Sequence, residues 1–402
     1  MFPVRGSDDG RRLALLAVAS LTVMSTATVA PALPRMADAF EGTPDAVFLS
    51  KLVLTMPALI ITLWAPLAGA VIDRFGRIRF LRFNLVLYAI AGASGFVLTD
   101  LHQILVGRAL LGLAVGAEMT CVQALAGDYF SGAARTRYVS MQSMFMSAGG
   151  VLFVALGGLL ADLSWRAPFL VYLLALVSLG IAMFYLDEPR HAAPAAPVLS
   201  PGEMARSPAS VEWARIGLVY FLQFFGMAMY YMVSAQLPFY LHQLGAGLSL
   251  YAGLAIAAAS GVSILSTMRY AHLLRATSHM TVYACGFALM AVGFVLIGLS
   301  AGVPGVIGGA SIVGLGMGLV FPNGATWMLS LADPRLRGRL AGGLASAIFL
   351  GQFASPIIAQ PFTSRFGLGH FYLGVAVVLT AMAGLLWLAA RRRRVPGSGQ
   401  SA

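Results

Sequence analysis

Two formal charges stand inside long apolar stretches of this 402-residue sequence: Arg108 and Glu118, both within "LHQILVGRALLGLAVGAEMTCVQ" (101–123). An ionised side chain at the centre of a bilayer costs about 2.5–3.5 kcal/mol on insertion scales, so such residues face a protein interior and carry function. On a helix their ten-residue separation is about 15 Å along the axis and about 80° around it, too far for a direct pair. Glu118 is the lone acid there. It has three chemistries open: exchanging a proton, holding a cationic substrate, or hydrogen-bonding Gln123 or a neighbouring helix. A second concentration of charge lies in "APLAGAVIDRFGRIRFLRF" (65–83), where Asp73 is followed by Arg74, Arg77, Arg79 and Arg82. Asp73, just past an apolar run, can pair with an arginine such as Arg77, while Gly69 permits close helix packing and Gly76 a tight turn. The plainer reading of these arginines is topology, basic residues that only orient the chain.

Uncharged polar and aromatic side chains are the candidates for a cavity lining: Thr26, Gln142, Gln223, Tyr230, Tyr231, Gln236, Asn323, Trp327, Gln352 and Gln360. A buried amide requires a partner, so the glutamines and Asn323 weigh more than the aromatics, whose default role is packing or lipid contact. The run "QFFGMAMYYM" (223–232) mixes methionine with aromatic rings, a soft surface suited to varied apolar ligands. Enzymatic motifs are missing. The single lysine, Lys51 in "SKLV", cannot supply the Gly-Lys-Ser/Thr of a P-loop, and neither HExxH nor GxSxG occurs. The histidines are scattered and Cys121 and Cys285 lie in apolar runs, which offers neither a metal site nor a disulfide framework. The expectation is a protein without catalytic residues, metal or cofactor.

The elements that must position these residues follow from composition. The chain is 59% hydrophobic and 10% charged, with mean hydropathy +0.84, whereas a soluble domain carries about 25% charged residues. Apolar runs of about 20 residues, the length that crosses a hydrocarbon core as helix, recur throughout. They predict helices near 13–34, 47–71, 81–99, 103–127, 139–161, 167–186, 214–237, 250–268, 280–300, 303–329, 340–361 and 370–390. Of the 26 Lys and Arg residues, 21 fall in the N-tail, the even-numbered connections and the C-tail. Four fall in the odd connections, Lys51 being counted with the first of them, and Arg108 lies in a span. Basic short loops mark the cytoplasmic side, so both termini are expected inside, and a missed helix would have scrambled the alternation. The net charge of +11 thus reflects topology rather than a nucleic-acid face. Arg11-Arg12 followed by Leu13 to Ala30 imitates a secretory signal, but its apolar region exceeds the usual 7–15 residues, so a retained first helix is expected.

The expected organisation is an N-terminal six-helix bundle (1–186), a cytoplasmic linker (187–213), a C-terminal six-helix bundle (214–390) and a basic cytoplasmic tail (391–402). The linker carries prolines 189, 194, 197, 201 and 208, a density that resists packing; Ser200 and Pro201 could open a short surface helix there. The halves echo each other at an offset near 202 residues. "GLAVG" (112–116) returns as "GLGMG" (314–318), Arg135-x-Arg137 as Arg337-x-Arg339, Gly149 as Gly351 and Phe169 as Phe371; Leu33-Pro34 returns as Leu237-Pro238 at offset 204. Two six-helix halves in one orientation is the parallel-repeat plan of many secondary transporters, with the site between them at mid-membrane.

The segment with Gly69, Asp73, Arg74, Gly76 and Arg77 resembles the G-x-x-x-D-R-x-G-R-[KR] signature of the major facilitator superfamily, departing at Ile78. The helix-4 pattern R-x-x-x-G-x-x-x-G reads Arg108, Gly112, Gly116, and "GDYF" (127–130), "SWRAPF" (164–169) and "GLVFPN" (318–323) are similar to segments of that family. The resemblance implies the major facilitator fold, all-α, with twelve transmembrane helices in two pseudo-symmetric bundles. It implies that the loop cluster binds an acid at the end of helix 4, here Asp128, and faces the start of helix 11 near Gly338 to Gly342, latching the cytoplasmic side. Arg108 is then the arginine associated with proton coupling. The branch resembled is the 12-helix drug:proton antiporters. In their helix-5 motif Gly149, Gly157 and Gly158 fit, while Phe153 and Val154 replace the central Gly-Pro, and "LTVMSTATVAPALP" (21–34) lacks the acid many exporters carry. The implied function is proton-coupled efflux of small lipophilic or cationic compounds by a monomer in a bacterial inner membrane, with protons, substrate and lipid as partners and the proton gradient as energy source. A specific metabolite carrier (exporter, importer or uniporter) and a transporter-like sensor are the alternatives.

Overall fold

The computed structural model describes residues 7–188, 212–333 and 336–392, apart from the side chains of Pro66, Ala70, Asp73 and Arg392. The surface helix expected at Ser200–Pro201, most of the linker and residues 393–402 of the tail lie outside the described residues. Among the described residues the regular structure is helical throughout.

Helix α1 runs Asp8–Ala27, beginning before the apolar run because Ser7 accepts from the Gly10 amide and Asp8 and Asp9 pair with Arg11 and Arg12. A 3-10 turn over Ala30–Ala32, opened by Pro31, leads into α2 (Leu33–Ala39). Then come α3 (Ala46–Phe75), α4 (Arg77–Ala93), α5 (Leu101–Tyr129), α6 (Gly132–Leu163), and a 3-10 stretch (Ala167–Leu173) continuing as α7 (Leu174–Tyr185). The second half holds α8 (Trp213–Gln243), α9 (Ser249–Ala276), α10 (His279–Leu299), α11 (Val303–Leu331) and α12 (Arg337–Arg392). Helix α12 breaks at Gly367, φ 75°, so it contains two spans. With α1 and α2 forming one span and α4, at 17 residues, another, the described helices make the twelve crossings expected.

The helices are longer than the apolar runs, and this corrects two readings. Asp73 does not follow the second span but lies in the last turn of α3, and the connection to α4 is Gly76 alone, at φ 86°, a conformation that favours glycine. The segment 268–279, expected as a loop, is helical to Ala276. Polar helix ends extend past the hydrocarbon, where water satisfies them, so hydropathy underestimates length.

The two halves repeat in packing as well as in sequence. A Cβ on Gly112 would meet Pro57 and Ile60 of α3, and one on Gly314 would meet Ala259 of α9; Gly116 packs at Ile61 and Gly318 at Ser263. Each pair of contacts is displaced by the same 202 residues. Gly149 lies over Ser20 and Gly351 over Phe224, the 204-residue register of the first and seventh spans. Small residues let helix backbones approach where lipid offers no hydrophobic drive for association.

Two faces of the bundle differ. The basic face carries Arg74, Arg77, Arg135, Arg275 and Arg337; the distal face carries the ends of α2 and α6, the start of α9 and the Gly367 break. At the distal face the halves interlock: a Cβ on Gly158 of α6 would come within 3.0 Å of the Leu250 Cα and 3.2 Å of the Gly253 Cα of α9. At the basic face Gly69, Gly338 and Gly342 have nothing within 4 Å of an added Cβ. Gly69 was expected to allow close packing, but among the described residues nothing lies within 4 Å of a Cβ added there. Among the described residues the halves meet closely at the distal face, and these three glycines find no such neighbour at the basic face.

Candidate functional site

The intramembrane charges of α5 are both anchored on α1. Because α1 stops at Ala27, its last carbonyls lack the partners a continuing helix would supply, and side chains take them up. Thr28 Oγ1 donates to the Met24 carbonyl at 2.8 Å. Arg108 Nη2 donates to the Ser25 carbonyl and to the Tyr172 hydroxyl, each at 2.8 Å, and its Nε donates to the Val53 carbonyl at 3.1 Å. Tyr172 also donates to Ser25 O and lies under the guanidinium, 4.8 Å from ring centre. One residue on, the Thr26 carbonyl accepts from Tyr231 of α8 at 3.4 Å, a link across the halves. Arg108 is therefore held by backbone and ring rather than by an acid.

Glu118 is 1% exposed and accepts from Thr22 Oγ1 at 3.3 Å, while its second oxygen has no hydrogen-bond partner among the described residues. It does not pair with Arg108, as the helical spacing implies. Gln123, one of the partners weighed for it, is exposed; the neighbouring helix supplies the bond instead. A fully buried carboxyl bound by one neutral hydroxyl is poorly compensated as an anion.

The contacts of Arg77, the member of the arginine cluster with described partners, lie inside the first half. Arg77 pairs with Asp128 at the end of α5 and donates to the Ala124 carbonyl. Glu188, beyond α7, accepts from the Arg77 and Ile78 amides at 2.7 and 3.0 Å, capping α4, and the Tyr129 hydroxyl donates to the Asp187 carbonyl. These contacts tie α4, α5 and the exit of α7 together. The Asp73 side chain lies outside the described residues; Arg74 is exposed. The pair is largely buried, with Asp128 at 4% exposure, and removing one partner of such a pair costs about 3–5 kcal/mol. Arg77→Ala is expected to lower the thermal midpoint in detergent by several degrees, and the Arg77→Ala/Asp128→Ala double variant by less than the sum of the singles. Equal, additive losses would show that the two do not interact.

A lock that the sequence reading missed closes the distal face. The carboxylate of Asp162, at the end of α6, accepts from the Ser249 and Leu250 amides at 2.6 and 3.1 Å, sitting on the N-terminus of α9, where the helix dipole favours a negative charge. Arg35 pairs with Asp162 at 3.0 Å and donates to the carbonyls of Ala161, Asp162 and Gly247. One acid and one arginine of the first half thus hold the α8–α9 connection of the second. Hydrogen bonds to charged groups contribute about 1.5–3 kcal/mol each. Asp162→Asn is therefore expected to shift the resting population toward a distal-open state by about tenfold or more, measured as increased labelling of a cysteine placed near Thr26. Unchanged labelling would remove the lock.

Lys51 is the other residue missed. It is not in a connection but in α3, 3% exposed, with its ammonium 5.0 Å from the ring centre of Phe239 in α8. Its signal was being the sole lysine of the chain, five residues into an apolar run.

The candidate lining residues divide into groups. Thr26 and Tyr231 meet between the halves. Among the described residues Gln236, fully buried in α8, has no partner for either amide atom, and Gln352 and Gln360 of α12 each leave an oxygen unpartnered. Gln223 donates to the Phe321 carbonyl at 3.0 Å, within the second half. Asn323 and Trp327 sit apart, near the basic face: Asn323 accepts from Tyr270 and exchanges bonds with His279, whose ring stacks on Trp327 at 5.4 Å. That amide is satisfied locally. Gln142 is buried on α6 and Tyr230 half-buried on α8.

Residues 15–279, well over half of the chain, match the pattern of the Major Facilitator Superfamily. A tetracycline resistance protein, class H, of Pasteurella multocida is 26% identical over 156 residues, 39% of either chain. The match therefore spans about two fifths of that relative's length. The 3-(3-hydroxy-phenyl)propionate transporter of Escherichia coli strain K12 is 24% identical over 351 residues, 82% of either chain. Among solved structures, a bacterial homologue of the human lysosomal transporter Spinster, inward-facing and unoccupied, superposes with TM-score 0.76 at 16% identity, covering 98% of this chain and 100% of that one. Twelve crossings in two like-packed halves and the matched pattern agree: the chain is a multi-pass membrane protein and belongs to the Major Facilitator Superfamily, a superfamily of transporters rather than enzymes.

Proposed function

We propose that this transporter is a monomeric, proton-driven exporter of small lipophilic or cationic compounds in a bacterial inner membrane, working by alternating access. Its basic face is the cytoplasmic one, because basic residues concentrate on that side of membrane proteins, so the state described is open to the cytoplasm. The observation that carries the reading is Glu118: a buried acid with one hydroxyl partner, on the helix that also bears Arg108 and bound to α1 beside the Thr26–Tyr231 link. Proton gain and loss at Glu118 alters the contact between α5 and α1, and α1 is tied to the second half. The likeness to a tetracycline resistance protein supports export. The test is flux of lipophilic cations in proteoliposomes with and without an imposed pH gradient; flux indifferent to the gradient rules out proton antiport.

A second reading, a carrier dedicated to one metabolite, is favoured by the helix-5 motif in which Phe153 and Val154 replace Gly-Pro and by the long match to an aromatic acid transporter. Transport of one compound with no competition from chemically unrelated ones would select it.

A further inference from the structure

Lys51 presents a problem that neither coupling nor topology solves. It is 3% exposed, and among the described residues no carboxylate lies within ion-pair distance of it. The face of Phe239, 5.0 Å away, returns only part of what desolvating an ammonium costs. Lys51 borders a cavity of about 270 Å³ at the distal face, whose walls come from both halves: Asp38 and Lys51 from the first, Phe239, His242, Gln360 and Thr363 from the second. Asp38 is turned to His242, 3.7 Å away, and largely solvent-exposed. Gln360 has an amide oxygen with no partner among the described residues. The cavity thus borders one cation with no carboxylate in ion-pair range, its own acid Asp38 being turned to His242, and beside it an acceptor without a donor among the described residues.

We propose that this cavity binds a small organic monocarboxylate that also carries a hydrogen-bond donor, such as a hydroxy acid. The carboxylate neutralises Lys51 through charge-assisted hydrogen bonds, which are about twice as strong as neutral ones, and the ligand's hydroxyl donates to Gln360. Volume agrees: the space suits a molecule of a few heavy atoms and falls below the usual range for drug-sized ligands. Because α2 and α3 supply one wall and α8 and α12 the other, the site is complete only while the distal face is closed. Binding therefore favours that state. This site is separate from Glu118 and does not depend on which compound the transporter exports.

The test uses the purified full-length protein in nanodiscs with lactate as probe, replacing chloride at constant ionic strength. Wild type is expected to show a lactate-dependent rise in thermal midpoint, Lys51→Arg to retain it, and Lys51→Met to weaken apparent affinity about tenfold or more. Gln360→Leu, which leaves the cation in place, is expected to lose the preference for lactate over acetate while keeping a response to both. No response in wild type, or an equal response in Lys51→Met, overturns the proposal. If Lys51→Met does not fold, Gln360→Leu decides: an undiminished preference for lactate sinks the site.

Discussion

Replacing Gly158 by leucine is expected to arrest transport at the conformational step rather than at binding. The Cβ of any other residue there would press on the Leu250 Cα at 3.0 Å and on the Gly253 Cα and Ser249 carbonyl at 3.2 Å. All three are backbone atoms and cannot rotate aside as a side chain would. Overpacking of this kind costs about 1–3 kcal/mol, a shift of about 5- to 150-fold between the two states, and only the distal-closed state pays it. Each six-helix half retains its own packing, so the variant is expected to express and purify, bind substrate from the distal side and fail to complete a cycle. Gly157→Leu is the contrast. Its Cβ would strike the Thr28 carbonyl of the same half, so it is expected to damage folding instead. Wild-type flux in Gly158→Leu contradicts the closure described here.

The second large effect is expected at Glu118. Glu118→Gln keeps the shape of the side chain and an oxygen that can accept from Thr22, so stability should change little. The amide cannot take up or release a proton. Accumulation driven by a pH gradient is expected to vanish, while downhill exchange of substrate persists and loses the pH dependence that Glu118 contributes. Gradient-driven transport at the wild-type rate in this variant would show that the coupled proton travels elsewhere.

The twelve crossings were legible because lipid leaves a chain few options: each span must satisfy its own backbone and be apolar over about 20 residues. The repeat was legible because glycines at helix contacts tolerate few substitutes, and Gly112 and Gly314 do meet equivalent neighbours. What was lost lay at the ends of helices. Asp73 and the 268–276 segment are helical, although hydropathy places them outside, because polar turns continue a helix into water without any apolar signal. The distal lock was missed because Arg35 and Asp162 are 127 residues apart, and only the fold brings them to α9. A trace of it was present. Two of the four basic residues on the wrong side of the charge count, Arg35 and Arg166, proved to be bound ones: Arg35 holds Asp162 and three carbonyls, and Arg166 donates to the carbonyls of Gly95, Phe96 and Leu98. The latch was an expectation from the family resemblance; Arg77 does pair with Asp128, and the cluster's described partners, Asp128 and Glu188, belong to the first half.

The central claim is that two six-helix bodies rock about the middle of the membrane and that the resting state is closed where Arg35, Asp162 and Gly158 meet α9. Spin labels on Arg135 and Arg275 report the basic ends of α6 and α9, and labels on Leu163 and Leu248 report their distal ends, in a background with Cys121 and Cys285 replaced. In nanodiscs, a short distal distance and a long basic one are expected at rest, with the two exchanging when Gly158→Leu is introduced. A long distal distance in the resting protein, or two distances that rise and fall together, would contradict the claim.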